Sequence, residues 1–369
     1  MNLFSRKRTT ANHSDRLKQL LAEYFVVDEK LAGTWLSSDS DEHVRVALPF
    51  AAHSQHPIIK DWLNTEWQRR FASQPCPTIQ LDTHIVAMHT QQTPVRNIKN
   101  IIAVASGKGG VGKSATAVNL AFALQQEGAR VGILDADIYG PSIPIMLGNA
   151  AEQATSADNK HMQPMMSHGL AANSIGYLVP AENATVWRGP MASRALSQLL
   201  NDTLWPVLDY LLVDMPPGTG DIQLTMAQQV PLTAAVVVTT PQDLALTDAK
   251  KGIAMFEKVE IPVLGLIENM SYYQCGHCGE KAYIFAQHGG ERLAKQHHLP
   301  LLGSLPLDLH IREHADSGVP LLKARPDSPL SSAYLEAARS ISQQLALTLS
   351  VNEHAASVVK GDPIMFKPV

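Results

Sequence analysis

The stretch that decides the fold of this chain is Ile101–Ser114, which reads IIAVASGKGGVGKS. A short apolar run predicts a strand, a glycine-rich turn follows, and a helical pattern begins at the end of the stretch. A strand before such a turn and a helix after it are the context that a phosphate-binding loop requires. The stretch therefore predicts a nucleotide-binding protein.

Each part of this loop has a predicted role in holding ATP. The glycines let the backbone turn tightly enough to point its N–H groups at an anion, and the helix beyond adds the positive end of its dipole. Lys113 is predicted to reach the β- and γ-phosphates, and the hydroxyl of Ser114 to hold Mg²⁺. The loop residues predicted to contact the nucleotide are Gly107, Lys108, Gly109, Gly110, Val111, Gly112, Lys113 and Ser114.

Length and composition indicate a two-part globular protein. The 369 residues include 45% hydrophobic and 17% charged residues, an ordinary balance that argues against disorder. A formal net charge of -4 leaves no broad basic surface, so nucleic acid is not the expected partner. The N-terminus lacks the apolar core of a signal peptide, no apolar run is long enough to span a bilayer, and three cysteines cannot build a disulfide framework. We therefore expect a cytoplasmic protein with no membrane partner.

The sequence pattern changes near residue 96. Residues 1–95 predict a small N-terminal α+β module, residues 96–350 the ATPase domain, and residues 351–369 a C-terminal tail. Leucine spacing, apolar runs and a polar proline-containing segment define the predicted elements of the module. These elements are a helix over 14–25, strands over 44–51 and 79–87, and a linker over 89–97.

Beyond residue 96 the sequence alternates between apolar runs and helical patterns. The predicted strands are 101–105, 130–134, 210–213, 234–238, 261–267 and 301–305, and the predicted helices are 113–127, 191–200, 222–229, 244–259, 290–297 and 331–347. The strand runs are continuously apolar, which is typical of parallel strands covered on both faces. The predicted fold class is α/β, a doubly wound, mostly parallel sheet of the P-loop NTPase type that binds ligands at the carboxyl ends of its strands.

Three aspartates that end predicted strands are expected to face the phosphates. Asp135 and Asp137 follow the strand RVGIL, and their spacing puts them on the same side of an extended chain. One is expected near the water shell of the metal, and Asp137 is expected to polarise the attacking water. Asp214 ends the strand YLLVD and is expected to be a second carboxylate on the metal side. The loop MPPGTGD that follows predicts a γ-phosphate sensor. For Asp221 at its end two roles are open, as a cap of the next helix or as a catalytic residue, and the cap is at least as well supported.

A pair of cysteines forms a candidate metal motif. Cys275 and Cys278 are separated by two residues, a spacing that lets both thiolates bind one metal centre. Cys76 is distant in sequence and its thiol is expected to be inert, so one chain supplies only two cysteine ligands. Two protomers of a symmetric dimer would supply four thiolates, enough for a bridging [4Fe–4S] cluster or for Zn²⁺. His277 lies between the cysteines, and we expect it to be a surface histidine.

Lys108 indicates which type of phosphate-binding loop this chain has. A second lysine ahead of Lys113 is not needed to cradle phosphates within one chain. The form GKGGVGKS resembles the deviant Walker A loop of the MinD, ParA and nitrogenase-iron-protein ATPases. In that family the extra lysine reaches across a nucleotide-sandwich dimer to the phosphates of the partner, much as an arginine finger does. The resemblance implies a homodimer in which Lys108, Lys113 and Asp137 are catalytic.

Four segments together resemble a narrower group, the Mrp/ApbC iron–sulfur cluster carriers. They are SGKGGVGKS, ILDADIYGPSIP, DMPPGTGD, and ENMS followed by the C-x-x-C pair, within a similarity that covers roughly residues 98–320. The resemblance implies an ATP-hydrolysing homodimer that holds a [4Fe–4S] cluster on Cys275 and Cys278 of both subunits and transfers it to apo-proteins. It also implies that Asn269 contacts the adenine.

Two alternatives from other classes remain open at this point. One is a MinD/ParA-like positioning ATPase, which should carry a basic patch or an amphipathic terminal helix for membrane or DNA. The other is a zinc-stabilised, non-catalytic nucleotide-binding dimer, in which the cysteine pair is structural. Metal and sulfide analysis separates the second alternative from a cluster carrier.

Overall fold

The structure is a computed structural model that describes residues 13–40, 42–90, 92–179 and 189–354. The described residues divide into two compact units, which meet in the chain between His84 and Ile85. The expected end of an independent N-terminal module near residue 95 stays a prediction. The tail predicted over 351–369 lies outside the described residues from 355 onward.

The first unit is an α+β module, in which helices cover a three-stranded sheet. Its elements are α1 (His13–Phe25), α2 (Glu29–Thr34), β1 (Leu36–Ser40), β2 (His43–Leu48), a 3₁₀ turn (His53–Gln55), α3 (His56–Arg70) and β3 (Thr78–Thr83). Strand β2 is central, antiparallel to β1 and parallel to β3. The residues of β2 alternate between buried and less buried positions, because side chains of a strand point to opposite faces in turn. Helix α3 was not predicted, since its apolar residues do not form a continuous helical stripe.

The second unit is built on a nine-stranded sheet. Its strands are β4 (Ile98–Ala105), β5 (Val131–Asp135), β6 (Met165–Ser167), β7 (Leu170–Ser174), β8 (Leu208–Asp214), β9 (Ala234–Thr239), β10 (Val263–Gln274), β11 (Lys281–Ala282) and β12 (Leu301–Pro306). The order across the sheet is β11-β10-β9-β4-β8-β5-β7-β6, and β12 pairs with β10 as well. All pairings are parallel except those of β6 with β7 and β11 with β10 at the two ends. The predicted doubly wound, mostly parallel sheet is confirmed.

Helices cover both faces of this sheet. They are α4 (Lys113–Gln126), α5 (Ile143–Met146), α6 (Gly189–Asn201), α7 (Asp221–Gln229), α8 (Asp243–Lys258), α9 (Gly289–Gln296), α10 (Leu309–Ser317), α11 (Leu321–Ala324) and α12 (Pro329–His354), with a 3₁₀ turn at Ile175–Tyr177. Helices α6 to α9 share one apolar core with the sheet, and α12 packs against α4, β10 and β12. None of the described helices combines the length and apolar character that a bilayer crossing requires.

The strand order places the phosphate-binding loop at a switch point of the sheet. From β4 the chain runs to β5 and β7 on one side, returns to β8, and then continues through β9 to β10 on the other side. The crevice beyond the carboxyl ends of such strands is where α/β sheets bind ligands. Strand β4 ends in that crevice, immediately before the loop 106–112.

Two features of the second unit differ from the sequence prediction. The strand predicted over 261–267 is Val263–Gln274, so it continues through the segment ENMSYYQ up to Cys275. Strands β6 and β7 and helix α10 were missed, because short or polar segments carry too weak a period to be recognised. Helix α4 ends as predicted, at a Gly128 with φ 93°.

Asp209 anchors the amino-terminal edge of the central strands. Its carboxylate accepts hydrogen bonds from Arg130 at 2.8 and 2.9 Å and pairs with Lys99 at 2.9 Å. Burial by itself raises the pKa of this carboxyl, but the hydrogen bonds from Arg130 and Lys99 outweigh burial and hold the pKa at about 2. Asp209 therefore ties β4, β5 and β8 together at the edge opposite the phosphate loop.

Replacing Asp209 with alanine is expected to lower the free energy of unfolding by about 1–3 kcal/mol at pH 7, since two cations lose their buried partner. The pKa of this carboxyl is lower in the folded chain than in the unfolded chain. The carboxylate therefore stabilises the fold at pH values above the unfolded-state pKa, and this stabilisation is lost as the pH falls through the folded-state pKa. The difference between the native chain and Asp209→Ala should thus shrink between about pH 4 and pH 2. Urea unfolding over this range, with the exposed Glu257→Ala as control, measures it; a pH-independent difference would contradict the ion-pair explanation.

Candidate functional site

The loop between β4 and α4 has the backbone of an anion cradle. Gly110 and Gly112 have φ values of 81° and 79°, in the left-handed region that glycine adopts without strain. A Cβ added to Gly110 would meet no atom within 4 Å, so the loop faces open space there. The hydroxyl of Ser106 donates to the carbonyl oxygen of Lys108 at 2.9 Å and braces the start of the loop. Lys108 belongs to this loop and is half-buried.

Two glycines of the loop also permit close packing against neighbouring elements. A Cβ on Gly107 would stand 2.1 Å from the backbone carbonyl carbon of Asp248 in α8. A Cβ on Gly112 would stand 2.2 Å from Nδ2 of Asn269 in β10. Contacts that short do not occur for a real Cβ, so packing requires glycine at Gly107, and at Gly112 the left-handed φ favours glycine as well.

Replacing Gly112 with alanine is expected to weaken ATP binding by about 100-fold, because the new methyl group displaces the Asn269 amide and the residue keeps a left-handed φ. Gly110→Ala is the matched control, since it meets the same φ penalty but has open space around its Cβ; we expect about a tenfold loss there. Titration calorimetry with ATP and Mg²⁺ measures both. Equal losses in the two variants would show that the contact with Asn269 is immaterial.

Lys113 and Asp214 form a buried ion pair at the centre of the site. The side chain of Lys113 is 6% exposed, and its ammonium group contacts Oδ1 of the fully buried Asp214. The Nζ atom of Lys113 also lies 3.3 Å from Oγ of Ser114. The other carboxylate oxygen of Asp214 is buried and has no hydrogen-bond partner among the described residues. A buried, unpartnered carboxylate oxygen is a costly arrangement unless a ligand or ordered water fills it. The donor set of Asp214, Ser114 and Lys113 fits a nucleotide with its Mg²⁺ ion.

Asp135 and Asp137 lie beside this pair but in different surroundings. The Asp135 carboxylate is fully buried and accepts hydrogen bonds from the backbone N–H groups of Asp137, Ser142 and Ile143 and from the Ser174 hydroxyl, at 3.0 to 3.2 Å. Burial first, and then the nearby charge of Asp214, raise the pKa of Asp135. Asp135 therefore organises the loop that carries Asp137.

Asp137 is less buried than Asp135. Burial raises the pKa of Asp137, and the neighbouring ammonium of Lys113 counters part of that rise. Its backbone N–H donates to Oδ1 of Asp135 at 3.1 Å, and its carbonyl oxygen accepts the backbone N–H of Gly140 at 3.2 Å. The loop thus presents a carboxyl with a raised pKa close to the phosphate cradle, which is the property of a general base.

The loop MPPGTGD packs against the phosphate loop. The backbone N–H of Gly218 donates to the carbonyl oxygen of Ser106 at 3.1 Å, and a Cβ on Gly109 would lie 4.0 Å from Pro217. This contact puts the loop beside the cradle, as a γ-phosphate sensor requires. The expectation that Asp221 caps α7 was wrong, because Gly220 is the capping residue and α7 begins at Asp221, whose charge instead favours the positive end of the helix.

Strand β10 brings two polar side chains to the site. Asn269, 7% exposed, donates from Nδ2 to the carbonyl oxygen of Val111 at 2.8 Å, so it contacts the phosphate loop directly. Glu268, which sequence reasoning missed, is buried and accepts the hydroxyl of Ser271 at 2.5 Å and the backbone N–H of Gly290 at the start of α9. A charged residue inside an apolar strand was the available signal for Glu268, since it must find partners when buried.

The cysteine pair lies on a hairpin at the end of the same strand. Cys275 follows β10, its backbone N–H donates to the carbonyl oxygen of Glu280 at 2.9 Å, and its carbonyl oxygen accepts the backbone N–H of Gly279 at 2.8 Å. The backbone N–H groups of Cys278 and His277 and the Cys278 thiol lower the pKa of the Cys275 thiol. Cys275 is half-buried and Cys278 is exposed, and both are free thiols.

The hairpin offers a metal two thiolates and no complete ligand set of its own. Among the described residues no group of three or more His, Cys, Asp or Glu side chains is close enough together to hold a metal ion. Cys76, in the first unit, is a free thiol that lies 3.3 Å from Oδ1 of Asn64, and burial raises the pKa of that thiol. This agrees with the expectation that Cys76 is unreactive.

The sequence and the fold of this chain are similar to those of known P-loop proteins. A family model described as NUBPL iron-transfer P-loop NTPase matches residues 97–342. An iron-sulfur cluster carrier protein of Escherichia coli is 55% identical over 309 residues, which are 83% of this chain and 84% of that protein. A nucleotide-binding protein of Archaeoglobus fulgidus, solved in complex with ADP, is 35% identical with a TM-score of 0.56 over 64% of this chain and 91% of that one. The fold is shared with the cell division ATPase MinD of Pyrococcus furiosus. That structure is 24% identical and has a TM-score of 0.50, over 66% of this chain and 98% of the MinD chain.

Proposed function

The chain belongs to the NUBPL family of iron-transfer P-loop NTPases, and from that premise we propose that it is an ATP-hydrolysing iron–sulfur cluster carrier. Two copies hold a [4Fe–4S] cluster as cargo on Cys275 and Cys278 of each chain and pass it to apo-proteins. The observation that carries this proposal is strand β10, which contacts the phosphate loop through Asn269 and ends in the cysteine hairpin. One strand thus joins a nucleotide site to an exposed pair of thiols.

Nucleotide binding begins with an exchange of partners at the Lys113–Asp214 ion pair. Without nucleotide, the ammonium group neutralises the buried carboxylate. When phosphates enter the cradle, Lys113 turns to them, and the carboxylate of Asp214 and the hydroxyl of Ser114 would then be the groups that hold Mg²⁺. Mg²⁺, when bound, neutralises charge on the phosphate oxygens. Asn269, whose amide donates to the carbonyl oxygen of Val111, is the residue that we propose contacts the base.

Hydrolysis uses Asp137 within the chain and Lys108 across the dimer. Asp137 has the raised pKa of a group that can accept a proton from water, and the Asp135 network holds its loop in place. Lys108 is a half-buried residue of the phosphate loop. There it can enter the site of a second copy and stabilise charge on the transferred phosphoryl group.

Cluster binding uses the hairpin at the end of β10. The backbone N–H groups directed at the Cys275 sulfur favour the thiolate, which is the form that binds iron. Because each chain contributes two thiolates, a second copy related by twofold symmetry completes the set of four. The exposure of Cys278 suits a cargo that must leave again, since a ligand exchange needs access for the incoming thiolate.

Anaerobic reconstitution of the full chain with iron and sulfide tests the proposed function. We expect about four irons and four sulfides per dimer, ATP hydrolysis that requires Mg²⁺, and transfer of the cluster to an apo-enzyme whose activity depends on a [4Fe–4S] centre. Zinc without sulfide in the anaerobically purified protein, together with a hydrolysis rate that Asp137→Ala leaves unchanged, would instead favour a zinc-stabilised dimer.

A further inference from the structure

Strand β10 is continuous but irregular between the phosphate loop and the cysteine hairpin. Met270 lies inside the strand with φ 54°, a left-handed value that a bulky side chain rarely adopts. The pairing of β10 with β12 loses its register across the same point, between Glu268 and Tyr272. A strained residue of this kind persists only where its surroundings over-determine it, and such residues concentrate at switches.

The residues on the upstream side of Met270 are held by the nucleotide site and by α9. Asn269 donates to the carbonyl oxygen of Val111 in the phosphate loop at 2.8 Å. Glu268 is buried and accepts hydrogen bonds from Ser271 and from the backbone N–H of Gly290. Of these restraints, only the contact of Asn269 involves an atom of the loop that a nucleotide occupies.

The residues on the downstream side of Met270 lead into the cysteine hairpin and contact the end of β12. The backbone N–H of Leu307 donates to the carbonyl oxygen of Tyr272 at 2.7 Å, and the Lys281 ammonium lies 4.1 Å from the centre of the Tyr272 ring. The strand then pairs with β11, which closes the hairpin around Cys275. At about 3.4 Å per residue, Cys275 lies roughly 15–20 Å along the strand from Met270.

We propose that Met270 is a positioning residue whose strained backbone couples nucleotide occupancy at Val111 and Asn269 to the orientation of the Cys275–Cys278 hairpin. Nucleotide in the cradle competes for the Asn269 amide and removes the contact that holds the upstream side. The backbone torsions of Met270 can then shift within the left-handed region, and because the hairpin lies far along the strand, a rotation of about 10° at Met270 displaces the cysteines by about 3 Å. The inference rests on the proposed function only in taking Cys275 and Cys278 as the cluster ligands.

Three chains separate this backbone effect from the loss of a side chain. Met270→Ala removes the side chain but keeps a Cβ, so the left-handed φ stays strained. Met270→Gly removes the strain, because glycine adopts both conformations at little cost. The native chain and Met270→Ala should therefore transmit nucleotide binding, and Met270→Gly should not. Met270→Asn is a second strain-relieved variant, since asparagine tolerates this region better than methionine.

The experiment measures maleimide labelling rates of Cys275 and Cys278 by mass spectrometry in the reduced, metal-free, full-length chain, with and without ADP and Mg²⁺. ADP fills the cradle without the γ-phosphate, so a dimerisation that requires ATP does not enter the measurement. Cys76 in the first unit is the internal reference. ADP affinity, measured in parallel, should agree within about twofold among the chains.

We expect ADP to change the labelling rates of Cys275 and Cys278 by about threefold or more in the native chain and in Met270→Ala, and by less than about 1.5-fold in Met270→Gly. A Met270→Gly chain that binds ADP and responds like the native one would overturn the inference, as would a native chain that binds ADP without a response. Loss of the response in Met270→Ala as well would also overturn it. If Met270→Gly fails to fold, Met270→Asn takes its place with the same expected outcome. Because the readout needs neither cluster nor hydrolysis, failure of the proposed function would be seen separately, in reconstitution and turnover.

Discussion

Replacing Cys278 with alanine is expected to reduce the iron bound after anaerobic reconstitution from about four atoms per dimer to below about half an atom. The reason is the ligand count, because a dimer of this variant keeps two thiolates where a [4Fe–4S] cluster needs four. The side chain is exposed, so its removal leaves the hairpin between β10 and β11 folded. Iron and sulfide analysis, together with the loss of absorbance near 400 nm, measures the effect.

Cys76→Ala is the matched control for this prediction. It removes the third thiol of the chain, which is half-buried next to Asn64 in the first unit, and should leave iron and sulfide at native levels. ATP affinity should stay within about twofold in both variants, since neither cysteine is among the residues proposed to bind the nucleotide. A Cys278→Ala dimer that still held a full cluster would rule out the proposed ligand set.

Replacing Lys108 with alanine is expected to lower the rate of ATP hydrolysis by about 10³-fold or more while ATP affinity changes by no more than about threefold. The cradle, the Lys113–Asp214 pair and Ser114 all remain, so the ground state still binds. In the proposed mechanism, the variant loses the cation that stabilises the transition state in the partner's site. Lys113→Ala is the contrasting variant and should lose binding itself, because it removes the cation expected to contact the phosphates and leaves the fully buried Asp214 without its ion-pair partner.

Mixing two inactive variants tests whether Lys108 acts in its own chain or in the partner. In a dimer of Lys108→Ala with Asp137→Ala, the first protomer keeps Asp137 and receives the intact Lys108 of the second, so one complete site forms. After subunit exchange at equal amounts, half of the dimers are mixed, and the expected rate is about a quarter of the native one. If Lys108 acted within its own chain, neither site would be complete and the mixture would stay inactive.

The agreement between sequence and structure is closest where local chemistry leaves little choice. The stretch Ile101–Ser114 predicts a strand, a loop and a helix, and the structure has them as β4, the cradle and α4. Continuous apolar runs predict buried parallel strands, and β5, β8 and β9 are buried along their whole length. The family resemblance, read from four motifs, is confirmed by a family model over 97–342. These features depend on backbone freedom and hydrophobic burial, which neighbouring residues carry with them.

The sequence was less informative where a residue acts through a distant partner. Glu268 is buried because Gly290 and Ser271 satisfy its carboxylate, and the role of Asn269 at Val111 depends on the phosphate loop. The predicted strand ended at residue 267 because the polar segment after it breaks the apolar pattern. In the structure that segment continues as strand because β12 and the hairpin pair with it.

By itself the sequence determined that the chain binds a nucleotide, folds as a doubly wound sheet, and carries two closely spaced thiols. Only the tertiary structure decided that one strand joins those two functions, with the strained Met270 between them. The physical reason is the range of the interactions involved. Glycine turns and apolar runs act within a few residues, whereas the partners of Lys113, Glu268 and Asn269 are brought to them by the order of strands in the sheet.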